Sequence, residues 1–141
     1  MRMRVVVSLL WPLARAVDWL PVALAVPAGL ALVSLVSPGK DLDPVNASLV
    51  LRAVALLMAS AGGFALVDAM GRSTGALPVP RWARQWARTG MVLAALAAGW
   101  GAMIAVAVAR SPDGVRLPVG GLSLEAAVCA LTGLAAAGLA V

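Results

Sequence analysis

Met91–Ala109 reads MVLAALAAGWGAMIAVAVA, nineteen consecutive residues without a charged side chain or a proline. A helix that crosses the hydrocarbon core of a bilayer needs about 20 predominantly apolar residues, so this stretch is a candidate span by itself. Three more apolar blocks surround it, at Trp19–Val36, Ala47–Met70 and Val119–Val141. The four blocks take up most of the 141 residues.

Composition agrees with that reading. Hydrophobic residues make up 62% of the chain and charged residues 12%, with a mean hydropathy of +0.98. Soluble domains carry about 45–50% apolar and about 25% charged residues, so water is not the main solvent of this chain. The expected fold is an all-α integral membrane protein of four transmembrane helices, forming a single domain over 1–141.

The segments between the blocks have turn and interface chemistry. Residues 1–18 combine Arg2, Arg4, Arg15 and Asp18 with Val5, Val6, Val7, Leu9, Leu10 and Trp11, interrupted by Pro12. Such a mixture suits an N-terminal helix lying in the membrane interface. A rival reading is a signal peptide, with Arg2 and Arg4 as its basic region and Ala14-Arg15-Ala16 imitating a cleavage site. Within the first span, Pro21 suits a first-turn position and Pro27 is expected to kink the helix. Ser37-Pro38-Gly39 ends that span, and Asn46 or Ser48 is expected to cap the second helix. Asn46-Ala47-Ser48 also matches a glycosylation acceptor formally, but its position beside the membrane favours capping. Arg52 and Asp68 lie near the two ends of the second span, where their side chains can snorkel.

Between spans two and three, Gly71–Gly75 and Pro78-Val79-Pro80 precede Arg81–Arg88. At about 100° per residue, Arg81, Arg84, Gln85 and Arg88 share one arc of a helix and Trp82 and Trp86 lie beside it. This is an amphipathic cytoplasmic segment, with arginines toward phosphate or a protein partner and indoles toward lipid. Arg110–Gly114 then closes the third span by turn chemistry.

Basic residues set the orientation. Arg2, Arg4, Arg15, Arg72, Arg81, Arg84 and Arg88 fall on one side, against Lys40, Arg52, Arg110 and Arg116 on the other. Because cytoplasmic loops carry the excess of lysine and arginine, seven against four places both termini and the middle loop in the cytoplasm. The expected location is a multi-pass protein of the bacterial inner (plasma) membrane. The net charge of +5 is read as topology and headgroup attraction rather than nucleic-acid binding.

Chemistry is sparse. There is no histidine and no tyrosine, and Cys129 is alone within the last block. Nucleophile–base pairs, carboxylate pairs and metal-ligand sets are the usual requirements for catalysis. Their absence from the sequence leads us to expect no enzyme activity, no metal and no cofactor. Glu125 is the one acidic residue well inside a span; it can be a proton site, or it can lie near the outer interface paired with Arg116 or Arg52. Small residues four apart recur as Ala59 with Gly63, Ala95 with Gly99, Ala97 with Gly101 and Gly101 with Ala105. These pairs favour close helix packing or self-assembly, and an alanine-rich composition produces some of them by itself.

Three motifs carry a resemblance: Phe64-Ala-Leu-Val-Asp68, Pro78-Val-Pro80 followed by spaced arginines, and Leu117-Pro118-Val-Gly120-Gly-Leu-Ser-Leu-Glu125. Over Arg52–Val141 the chain resembles small actinobacterial membrane proteins that look like permease subunits of ABC exporters. The resemblance implies an interfacial entry helix in residues 1–20, an ATPase contact at Arg81–Arg88 and about six spans. Four blocks fall short of six, which implies either an accessory subunit or a longer permease. The expected function is therefore a non-catalytic transmembrane subunit of a multi-component transporter. A membrane anchor or scaffold and a small ion-coupled transporter are the alternatives.

Overall fold

The computed structural model describes residues 17–36, 43–66, 81–112 and 116–139, with the side chains of 81–84, 138 and 139 outside the description. Residues 1–16 of the interfacial segment expected over 1–18, Asp68 and the loop through Pro80 lie outside the described residues. Those that are described form an all-helical structure: α1 (Leu20–Leu35), α2 (Pro44–Ala65), α3 (Arg81–Ala109) and α4 (Val119–Leu139). Three of the four, α2, α3 and α4, are long and apolar enough to cross a membrane. The first expected span is shorter than the rest, because the 16 residues of α1 reach only about 24 Å at 1.5 Å per residue.

Local chemistry explains the helix starts. Asp43 caps α2, its side chain accepting from the backbone N–H groups of Val45 and Asn46 at 3.2 and 3.3 Å. Pro44 follows at the first helical position, where a missing N–H costs nothing. The cap expected at Asn46 or Ser48 is thus replaced by Asp43, and the helix begins three residues earlier than the apolar block. Ser48 instead donates its hydroxyl to the carbonyl of Val45 at 2.8 Å. At α1, the Asp18 carboxylate accepts from the N–H of Leu20 at 3.1 Å and Pro21 occupies the first turn. The helix continues through Pro27.

Arg81–Arg88 and Met91–Ala109 are not two elements. They form one continuous 29-residue helix, since Thr89-Gly90 offers neither a proline nor a cap that would break it. Its buried positions are Arg88, Val92, Leu96, Gly99, Met103 and Ala107, a stripe at helical spacing that begins inside the basic segment.

Contacts between helices define an up-down-up-down bundle. A Cβ on Gly99 would touch Val26, and one on Gly29 would touch Met103, so α1 and α3 run parallel. Gly29 also meets Val54, and Gly62 meets Leu96, which sets α2 antiparallel to both. α4 lies parallel to α2, with Arg52 against Glu125 and Ala59 against Gly133. The core is filled by Val33, Leu51, Val54, Val92 and Met103. α2 is central, packing on the other three helices, while α3 and α4 scarcely meet. Accordingly 44% of the α2 span is buried but only 11% of the α4 span. Leu24, Leu56, Phe64, Val108 and Leu131 point outward. An apolar surface of that extent is intolerable in water and matches the hydrocarbon of a bilayer.

Candidate functional site

Among the described residues, three groupings of polar side chains that link one helix to another stand out. Arg52 on α2 donates from Nε to Glu125 Oε2 at 2.8 Å and from Nη2 to Oε1 at 3.0 Å. This fork on a carboxylate is the strong, oriented form of the ion pair. Arg52 lies eight residues beyond the start of α2 and Glu125 six beyond that of α4, or about 12 and 9 Å along the axes. The side chains remain 55% and 48% exposed. The structure thus brings together two of the expected intramembrane polar residues, as a net-neutral pair on the outer surface of the α2–α4 contact.

Arg110 makes the second link. Its Nη1 donates to the carbonyls of Val33 and Ser34 at 2.7 and 2.9 Å, and its Nη2 to that of Val36 at 3.1 Å. The last carbonyls of any α-helix lack intrahelical partners, and here a guanidinium from the end of α3 supplies them for α1. Sequence alone marks Arg110 as part of a turn and as one of the basic residues of the outer side; the signal for a capping role is an arginine directly after an uncharged span.

Trp100 makes the third, donating from Nε1 to the hydroxyl of Ser123 at 3.1 Å. This is a strut between α3 and α4, whose facing surfaces otherwise diverge. Beneath it an apolar groove of about 270 Å³ opens between α2, α3 and α4, with Met58, Leu96, Ala97, Ala127 and Ala130 among its walls.

The remaining expected site residues distribute as follows. Ala59 and Gly63 of α2 face Gly133 of α4: a Cβ on Gly133 would stand 2.6 Å from the Ala59 carbonyl oxygen, and one on Gly63 would stand 3.3 Å from that of Gly133. Gly133 is not among the residues expected to pack helices, although it sits four residues before Ala137. Gly99 is packed under Val26 and Met58, whereas a Cβ on Gly101 would have nothing within 4 Å. Arg88, expected on a partner-facing arc, is only 7% exposed. Its position four residues before Val92 puts it on the inward stripe of α3, so its side chain turns toward the bundle rather than onto an exposed arc. Trp86 by contrast is 72% exposed. Arg81, Trp82 and Arg84 belong to the first turn of α3.

Comparison with family models, with curated proteins and with solved structures found no match to the chain. The arrangement of its own residues is what bears on its function.

Proposed function

We propose that this chain is a non-catalytic transmembrane subunit of a multi-component transporter of the ABC exporter type, crossing the bacterial inner membrane four times with both ends in the cytoplasm. The observation that carries the subunit reading is the Arg52–Glu125 pair. A charged pair about 10 Å inside apolar helices is poorly served by hydrocarbon, since intramembrane ionisable groups face bundle interiors or cavities. Half of it stays exposed, which makes this surface suited to polar groups of another membrane subunit. The bidentate pairing also occupies Glu125, which disfavours a free proton carrier and with it the ion-coupled alternative.

α1 takes part as the fourth span in spite of its length. Unpaired carbonyls at membrane depth cost several kcal/mol each, and Arg110 provides donors to three of them. The positive-inside excess then assigns the start of α3 to the cytoplasm. There the turn that carries Arg81 and Arg84 is the ATPase contact and the tryptophans at 82 and 86 mark the interface, while Arg88 is excluded from the contact by its burial. The transporter part of the reading rests on the resemblance to exporter permease subunits.

Pull-down of the tagged chain from its native membrane in mild detergent tests the proposal. An ATPase should co-purify in stoichiometric amount, and Arg81→Glu with Arg84→Glu should lower its recovery at least tenfold at moderate salt. Unchanged recovery from the double variant would remove the docking role of the arginines. Recovery of the chain alone would replace the transporter subunit with an anchor.

A further inference from the structure

We infer that the groove between α3 and α4 is a binding site for one hydrocarbon chain of a membrane lipid, and that the chain fills the space these two helices leave open on either side of their sparse contact. The chemistry of the walls selects the ligand. Alanines at 97, 127 and 130 leave the space open, and the walls are apolar apart from Trp100 and Ser123. Trp100 uses its only donor on Ser123 at 3.1 Å, which leaves the Ser123 hydroxyl as the one polar side-chain group of the lining. A ligand with several polar groups would leave most of them unpaired, and buried polar groups without partners are costly. An alkyl chain needs none.

Size separates an alkyl chain from a protein occupant. Apolar cavities of about 150 Å³ take up benzene, so by the same scale the 270 Å³ here accommodates about ten carbons of an acyl chain. A helix with its side chains is about 10–12 Å across, and the Trp100–Ser123 strut bridges the path that it would follow. The groove presents eleven lining residues, where a stable protein–protein interface uses about 20–30 a side. A second copy of the chain therefore has too little surface to seat itself there. α3 and α4 are both long and apolar enough to cross a membrane, so with these helices as spans the open side of the groove meets hydrocarbon and an acyl chain can enter sideways.

The test uses the full-length protein reconstituted in palmitoyl-oleoyl phosphatidylethanolamine and phosphatidylglycerol vesicles, extracted in maltoside detergent and examined by native mass spectrometry. Wild type should keep one phospholipid per chain after extensive detergent exchange, and so should Gly101→Leu, whose side chain enters open space. Ala127→Leu, which fills the groove from α4, should lower lipid retention at least tenfold while helicity by circular dichroism is unchanged. Ala97→Leu, which fills it from α3, makes the same comparison if Ala127→Leu does not fold. Equal retention by wild type and a folded groove-filled variant would overturn the inference. So would a lipid-free wild type, or a wild-type dimer that the filling substitution dissociates.

Discussion

Replacing Gly133 with alanine is expected to detach α4 from α2. The added methyl would lie 2.6 Å from the Ala59 carbonyl oxygen and 3.2 Å from its carbonyl carbon. Both are backbone atoms in a helix, so neither can rotate away and the two helices must separate. Overpacking costs about 1–3 kcal/mol in ordinary cores. Here the upper part of that range applies, because membrane helices associate through close packing without a hydrophobic force between them. α4 rests almost wholly on α2 and meets α3 only sparsely, so a separation at Gly133 falls on its main contact. Mixed-micelle unfolding of Gly133→Ala in dodecyl maltoside and SDS should show a loss of about 3 kcal/mol. Gly101→Ala adds the same methyl in open space and should be neutral or stabilising by up to about 1 kcal/mol through helix propensity. Equal stability of the two variants would contradict the α2–α4 packing.

The second large effect is expected at Arg110. Its guanidinium donates to the carbonyls of Val33, Ser34 and Val36. Arg110→Ala removes all three bonds and leaves acceptors without partners at the end of a helix too short to carry them into the headgroups. At about 1 kcal/mol or more per bond, the loss should reach roughly 3 kcal/mol and concentrate in α1. Hydrogen exchange should show it as weakened protection of residues 30–36, with α2 and α4 little changed. Arg110→Lys keeps the charge but not the planar fork of donors, and should recover only part of the protection. Uniform destabilisation of all four helices would mean that Arg110 does not act as the cap of α1.

The long apolar elements are readable in the sequence because membrane spans are encoded by a one-dimensional property, apolar length. Met91–Ala109, Ala47–Met70 and Val119–Val141 each contain most of a described helix. What stays hidden is three-dimensional. Arg88 belongs both to a basic arc and to the stripe continued by Val92, Leu96 and Gly99, and only packing decides which one governs its direction. The Thr89-Gly90 junction resembles a boundary between an interfacial helix and a span, yet uninterrupted backbone hydrogen bonding makes a single helix there. Asp43 precedes the apolar block that marks α2, so a search for the cap within that block begins too late in the chain. Arg52 and Glu125 both stand out in the sequence, with Arg116 as a rival partner, and the choice requires the parallel packing of α2 and α4. The groove under Trp100 arises from two helices failing to meet, which no local pattern encodes.

The chain's path through the membrane depends most on α1. Single cysteines at Ser8, Lys40, Ser73 and Asp113, introduced into a Cys129→Ser background, can be treated with a membrane-impermeant maleimide in intact cells and again after lysis. Four crossings with cytoplasmic ends predict that Lys40→Cys and Asp113→Cys react in intact cells, while Ser8→Cys and Ser73→Cys react only after lysis. Reaction of Ser8→Cys and Lys40→Cys from the same side would show that α1 does not cross and would overturn the four-span topology.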